Sequence, residues 1–561
     1  MLEKTRRWLA AHPNWALALV TGAVLAPFLA KPFNIDDPLF IWVARQIYVH
    51  PGDPFGFNVN WAQTVFPMWN ATENPPLACY YVALAAGFFG WSEIGLHLAF
   101  LLPALAVVLG TRRLAGHFCQ RPTLAALATL FTPVFMVSSM TVMCDVLMLA
   151  FWVWAAVLWV EGLERDDFGR LASAGLLAAL AELTKYYGAC LIPLLGAYGF
   201  FCKRRPGRWM VYLPIPLATL YAYQVATVAL YGHNLLLRAV QFSSFYAEVA
   251  KQNSGDFPMA TAFTALTFTG GCVAVATFFA PVLWRRRTLM TFGVMTILIA
   301  ALAVFSGPDF GEPHRNSPLL MDLQIIFWSA CGLGVLALAV ADVAQRRDPG
   351  AWLLALWALG TFAFTAFCNW TVNGRSILPM APAVGILIAR RLDKNFPAAE
   401  KIWPRSVVFA LAASAAFSLL ILRADFLFAR AARESAQIAS SKPRMEGRSL
   451  WFEGHWGFQY YMEAGGGRAI DLAHPALKPG DTFVVPLNNA GLTSRLNTRK
   501  GKSAFVVPKS RFIATMDGAV GAGFYSSMEG PLPFVFGRVP SEMTSVFDFN
   551  GLVPAPVPPA P

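Results

Sequence analysis

The strongest constraint in this sequence is a series of apolar runs, each roughly 15 to 22 residues long and almost without charge. That is the length a helix needs to cross the roughly 30 Å hydrocarbon layer of a bilayer. Of the 561 residues 56% are apolar and only 14% are charged, whereas a soluble chain averages about 25% charged. A soluble enzyme, a secreted disulfide scaffold and a disordered chain are excluded. The eight cysteines form no CxxC pair, which argues against a zinc site or a disulfide framework. The net charge of +12 comes from 44 Lys and Arg against 32 Asp and Glu, with the basic residues in short segments between apolar runs. This is an orientation signal and not a nucleic-acid surface.

The positive-inside rule fixes a topology. Lys4, Arg6 and Arg7 precede the first run, Asn14 to Lys31, so the N-terminus is cytoplasmic and residues 32–76 lie outside. The run is too long for a signal peptide and lacks a small-residue cleavage site. Arg112, Arg113 and Arg121 must be inside again, which allows one crossing between Pro76 and Arg112. Residues 94–110 supply it, and residues 77–90 read as an interfacial helix. Runs near 122–139 and 146–162 go out and back. The stretch 171–202 is too long for one span and reads as a hairpin broken at Thr184, Lys185, Tyr186 and Tyr187. Further spans fall near 209–230, 261–283, 289–306, 319–341, 352–369, 376–389 and 406–422. The expectation is an α-helical polytopic membrane protein of about thirteen spans, with its C-terminus outside.

Residues 423–553 have a soluble composition. Ser449–Phe452, Thr482–Pro486 and Ser503–Val507 read as strands and Trp456–Ala464 as a helix, giving a small C-terminal α/β extracytoplasmic domain. Residues 554–561 are a Pro/Ala-rich tail. The expected division is thus 1–422, including loop 32–76, then 423–553 and the tail.

Charges at a membrane edge are costly and are functional candidates for that reason. By this topology Asp36, Asp37, Glu73, Asn74, Asp145, Lys185, His233, Arg238, Asp309, His314 and Arg375 all fall on the outer side. Adjacent carboxylates raise one member's pKa and bias it toward accepting a proton. Lysine and arginine can hold an anionic group. Together they suit a displacement at a carbon that bears a phosphate leaving group.

The order "IDDPLF", "ENPPLACYYVALAAGFFG", "TVMCDVLML", "ELTKYYGACLIPLL" and "NGRSILPMAPAVGILIARRL" resembles the GT-C superfamily of polyprenyl-phosphate-sugar glycosyltransferases. Within it, the branch of protein O-mannosyltransferases and the lipid A aminoarabinose transferase is the nearest pattern, over roughly residues 14–422. The resemblance implies a GT-C type helical core that takes sugar from a lipid phosphate outside and inverts the anomeric carbon. It implies Asp36 as general base with Asp37 as partner, and Lys185 and Arg375 on the donor phosphate. Asp145, Asn74, Tyr186 and Tyr187 would line the substrate site. Asn74 stands where the family often carries Lys or His. No cofactor is required by the pattern; a divalent metal could be held by Asp36 and Asp145, although the spacing does not establish one.

Simpler roles compete. Asp36 and Asp37 could cap a helix, Asp145 could start a span, Lys185 could snorkel and Arg375 could anchor at the interface. Trp8, Trp42, Trp61, Trp69 and Trp91 read as interface belts, and His455, Trp456, Tyr460 and Tyr461 as core packing. The functional expectation is an inverting glycosyltransferase with a polyprenyl-phosphate-sugar donor and an extracytoplasmic lipid, glycan or protein acceptor. It would sit in a bacterial inner membrane. The alternative is a transporter or lipid-linked sugar flippase, which would show its charges near the midplane and two similar halves.

Overall fold

The computed structural model describes residues 11–61, 63–72, 74–253, 257–306, 318–396, 403–446, 449–474, 476–490 and 503–549. Residues Lys4, Arg6, Arg7, Trp8, Glu73, Asp309 and His314 and the tail 554–561 lie outside them. The chain divides into two compact units: residues 1–30, 73–423 and 515–535, and residues 31–72, 424–514 and 536–561. The expected boundary at 422 and 423 falls beside the edge at Arg423. Loop 32–76, expected with the helices, belongs as far as Thr72 to the second unit, and residues 515–535 belong to the first.

The first unit is helical. Among the described residues six helices are long and apolar enough to cross a membrane: Glu93–Ala115, Cys144–Arg165, Arg208–Tyr231, Leu319–Arg346, Pro349–Phe367 and Arg405–Ser441. A seventh span is possible by length if Ala260–Cys272 and Val275–Leu283, bent by 78°, act as one. Among the described residues the about thirteen expected spans are not all continuous helices, because several apolar runs are broken. Run 122–139 splits into Pro122–Leu130 and Pro133–Ser138, where Pro133 lacks the N–H needed to continue a helix and the Thr132 hydroxyl caps the new start by accepting from Phe135 N–H. Helix Leu77–Phe89 has 13 residues, about 20 Å at 1.5 Å per residue, too short to span as expected of an interfacial segment.

Run 171–202 forms the expected hairpin. Helix Phe168–Thr184 ends where the Thr184 hydroxyl donates back to Leu180 O at 2.7 Å, a bond that competes with helix continuation. Lys185 is extended, and a 3-10 turn Tyr186–Cys190 leads into Leu191–Lys203. Gly188 is required in that turn, because a Cβ there would meet Ala181 C at 2.4 Å. The open ends of the hairpin return to the end of Cys144–Arg165, where Lys203 pairs with Asp166 at 2.6 Å.

The second unit holds a mixed five-stranded sheet in the order Arg468–Ala469, Leu450–Phe452, Thr482–Pro486, Glu542–Asp548, Ser503–Val507. The first three strands are parallel neighbours, and Glu542–Asp548 runs antiparallel to both of its partners. Side chains alternate between faces. Trp451, Phe483, Val485 and Phe547 pack one core; Leu450, Phe452 and Val484 pack the other with Phe458 and Met462 of helix Trp456–Ala464. The three strands and the helix read from the sequence are present, and strands Arg468–Ala469 and Glu542–Asp548 are additional.

Candidate functional site

Helix Cys144–Arg165 separates two clusters of charge. At its start, Asp145 is 1% exposed and accepts from Lys185 Nζ at 2.7 Å. The carboxylate lies in the first turn, where the helix dipole favours negative charge. Arg375 reaches the same end, its Nη1 3.1 Å from Met143 Sδ, and Cys144 lies within electrostatic range of Asp145, Lys185 and Arg375. A thioether is a weak acceptor that leaves the guanidinium charge in place. Three of the residues selected from the sequence, from stretches far apart in the chain, therefore stand together.

Arg375 is placed by a segment that sequence reasoning left in the C-terminal domain. Asn373 caps the short helix Gly374–Ile377, its Oδ1 accepting from Ser376 N–H at 2.8 Å. Gly374 N–H donates to Phe524 O at 2.7 Å, and Ser527 N–H to Val372 O at 2.8 Å. Thr371 Oγ1 lies 3.1 Å from the hydroxyls of both Ser526 and Ser527. The same segment is fixed to other helices by Thr267 Oγ1 on Pro531 O at 2.5 Å and by the Phe534 ring against Trp328 and Phe417. The only sequence signal for this strap is the small, glycine-rich "GAVGAGFYSSMEG", which allows close backbone approach.

The remaining candidates of this unit have varied settings. Tyr186 is half-buried and accepts from Gln224 Nε2 at 3.4 Å. Tyr187 is buried, stacked on Phe364 at 4.1 Å and tilted against Trp152. Its ring thus faces the helix core. Asn74 is half-buried beside Pro75 and Pro76. His233 and Arg238 flank the start of helix Leu235–Asn253, an element absent from the sequence reading.

Asp36 and Asp37 belong to the second unit. Asp36 precedes helix Asp37–Val49, with Pro38 at the helix start. Asp37 is fully buried and accepts Asn34 N–H at 3.0 Å, while Asp36 is half-exposed. Ile35 between them and Asn34 has φ of 52°, a strained conformation for a β-branched residue. The surroundings hold it there. Lys31 and Asp425, each about 1% exposed, pair at 2.5 Å. Phe33 N–H donates to the Tyr461 hydroxyl at 2.9 Å, and Asn34 Oδ1 accepts Gly457 N–H at 3.2 Å. Gly457 is obligatory, since a Cβ would meet Phe33 O at 2.2 Å.

Trp42 and Trp61, read as belt residues, instead pack edge to face at 6.1 Å, with Tyr460 and His455 beside them. The aromatic group at 455–461 is packing, as expected, and what it packs is the acidic motif's loop. Burial holds the His455 imidazole below its usual pKa. Among the described residues no group of three or more His, Cys, Asp or Glu is arranged to hold a metal ion, and Asp145, one of the two acids considered as ligands, is occupied by Lys185.

Residues 73–231 match the family of dolichyl-phosphate-mannose-protein mannosyltransferases. This segment contains Asn74, Asp145, Lys185, Tyr186 and Tyr187 and stops short of Arg375. No curated protein matches the chain. Among solved structures, ArnT from Cupriavidus metallidurans bound to undecaprenyl phosphate is similar at 15% identity, with 86% of this chain and 93% of that chain covered and a TM-score of 0.48. The Archaeoglobus fulgidus oligosaccharyltransferase tethered to an acceptor peptide is similar at 13% identity, over 83% of this chain and 64% of that one, with a TM-score of 0.48. The arabinofuranosyltransferase AftD from Mycobacteria is similar at 13% identity, over 97% and 40%, with a TM-score of 0.42.

Proposed function

We propose that this protein is an inverting membrane glycosyltransferase that moves a sugar from a polyprenyl-phosphate donor to a lipid, glycan or protein on the extracytoplasmic side. The observation that carries the reading is the placement of Lys185 and Arg375 with Asp145 at one end of Cys144–Arg165, while at the opposite end of this helix Glu161 pairs with Arg113 and Arg170 and Asp166 with Lys203. Lys185 and Arg375 bind the donor phosphate. Asp145 orients Lys185, its carboxylate accepting from Nζ at 2.7 Å.

In the reaction the acceptor hydroxyl gives its proton to the Asp36 carboxylate as its oxygen attacks the anomeric carbon. The bond from that carbon to the phosphate oxygen breaks on the opposite face, and the released phosphate carries the electron pair. For Asp36 the assignment rests on the "IDDPLF" motif and its strained, half-exposed setting. In this reading the basic segment before Arg208–Tyr231 is cytoplasmic and His233 lies outside, as the positive-inside rule predicts.

Binding and turnover separate these roles. Purified protein in nanodiscs is titrated with undecaprenyl phosphate, and transfer is followed with a synthetic polyprenyl-phosphate sugar. Arg375→Gln should weaken lipid-phosphate binding at least tenfold, whereas Asp36→Asn should bind normally and transfer nothing. Normal phosphate binding by Arg375→Gln, or transfer by Asp36→Asn, would refute the respective role.

A further inference from the structure

The end of helix Cys144–Arg165 remote from Asp145 holds a second polar region, and the reaction just described does not use it. A cavity of about 640 Å³ opens there between residues 116–120, Gln345, Arg346, Asp393 and Lys394. The carboxylate on its wall, Asp393, and those next to it are already engaged. Asp393 accepts from Arg121 Nη1 and from Gln120 N–H, both at 2.6 Å. Asp342 takes Arg390 Nε at 2.9 Å and Arg346 Nε at 3.2 Å, and Asp348 takes Arg390 Nη2 at 2.9 Å.

Two cations meet an uncharged group beside this cavity. Lys394, on the cavity wall, and the adjacent Arg391 both donate to one neutral atom, Gln345 Oε1, from Nζ at 2.8 Å and Nη1 at 2.6 Å, and Arg391 also donates from Nε to Leu283 O at 3.2 Å and lies over the Trp284 ring. Among the described residues ion pairs tie Arg121 to Asp393, Arg346 to Asp342 and Arg390 to Asp342 and Asp348, while Arg391 and Lys394 meet the neutral Gln345 side chain. Cys119 on the wall adds no negative charge, because burial pushes its thiol up to about 12. Two cations brought to one amide oxygen repel each other, and an anion placed between them removes the repulsion.

We infer that this cavity binds a phosphate group, supplied either by the headgroup of an acidic phospholipid or by free phosphate. Basic pockets between the cytoplasmic ends of membrane helices are suited to such headgroups, and the volume lies in the range of small-ligand sites. Arginine supplies a planar fork and lysine a point charge to the same group. The cavity joins the turn 116–121 to the ends of Pro318–Arg346 and Met380–Asn395, so an occupied site ties three helix ends together.

Full-length protein, purified and delipidated in detergent, is titrated with short-chain phosphatidylglycerol, with phosphatidylcholine as the zwitterionic control and inorganic phosphate as a separate arm. Phosphatidylglycerol should bind at least tenfold more tightly than phosphatidylcholine. Arg391→Gln with Lys394→Gln should lower that affinity by more than tenfold, at about fivefold per charge removed, and Arg391→Lys with Lys394→Arg should retain most of it. Saturable binding of inorganic phosphate that displaces the lipid supports the site with free phosphate as its ligand; phosphatidylglycerol binding that phosphate leaves unaffected supports the lipid headgroup. The single exposed replacement Lys394→Gln carries the same comparison if the double variant melts earlier without ligand. Equal binding of both lipids with no phosphate binding, or undiminished affinity in the Gln variants, would overturn the assignment.

Discussion

Lys185 Nζ stands 2.7 Å from Asp145 Oδ1, on a carboxylate that is 1% exposed. The pair closes one end of the helices Cys144–Arg165 and Phe168–Thr184, and Lys203 with Asp166 closes the other. A helix of 22 residues, about 33 Å long at 1.5 Å per residue, thus carries a charged group at each end of an apolar middle. One group holds the hairpin tip, the other its open ends.

Replacing Lys185 with Gln leaves Asp145 buried and unpaired, which costs about 3–5 kcal/mol. The variant should therefore lose thermal stability as well as phosphate binding. Asp145→Asn with Lys185→Gln removes both charges and should recover most of the melting temperature without recovering transfer. Melting in detergent together with the transfer assay reads both; recovered activity in the double variant would show that Lys185 has only a structural role.

Arg375 depends on the strap at 515–535. A Cβ at Gly374 would meet three atoms of the Phe524 ring at 2.9 to 3.2 Å, and the backbone bond from Gly374 to Phe524 would lengthen. Gly374→Ala should shift the neighbouring guanidinium and lower kcat by about tenfold or more, since an error of about 1 Å can cost about a hundredfold. Gly374→Ala combined with Phe524→Leu, which opens space, should regain part of that loss. Unchanged kinetics in Gly374→Ala would mean the strap does not position Arg375.

Asp36 and Asp37 should separate cleanly. Asp37 is buried, accepts Asn34 N–H and begins a helix, so Asp37→Ala should destabilise by about 1–3 kcal/mol. Asp36 is half-exposed, and Asp36→Asn should melt like the parent while transfer is abolished. Measurable turnover in Asp36→Asn would remove it as the base.

The buried pair Lys31 and Asp425 makes a different point. Lys31→Met alone should cost about 3–5 kcal/mol by removing the cation from a buried carboxylate, whereas Lys31→Met with Asp425→Leu should recover most of that loss. Circular-dichroism melts of the three proteins test this, and a single variant as stable as the parent would contradict the burial of the pair.

The hairpin tip was legible because Lys185 interrupts a run that is too long for one span, and a charge in that position has few structural alternatives. Strands Thr482–Pro486 and Ser503–Val507 were legible from their β-branched and aromatic content. Glu542–Asp548 was missed because Glu542, Ser545 and Asp548 interrupt the apolar pattern of a strand that lies inside the sheet, between Thr482–Pro486 and Ser503–Val507. The partition of loop 31–72 with residues 424–514 was invisible as well: Lys31 with Asp425 and Asn34 with Gly457 are pairings across some 400 residues, and no local pattern encodes them. The same holds for the strap. Trp42 and Trp61 misled because an aromatic residue near a span end satisfies an interface and a packed cluster equally well.

His455 supplies a pH test confined to the second unit. Its ring lies 5.8 Å from Trp61, its backbone N–H and C=O are both held by the Asn489 side chain, and burial lowers its pKa from 6.5. Above about pH 6.5 it is neutral whether the chain is folded or unfolded, so it adds no pH dependence there. As pH falls through that value the unfolded chain takes up a proton that the folded chain refuses, and stability drops until the folded pKa is passed. Glu463, whose pKa burial raises above 4.5, acts in the opposite direction, since its contribution to stability is lost as pH rises through the interval above 4.5. The contribution of His455 is therefore read as a difference: between about pH 7.5 and pH 5.5 the parent should lose more melting temperature than His455→Gln. Parallel pH profiles for the two proteins would show that the imidazole is not held neutral.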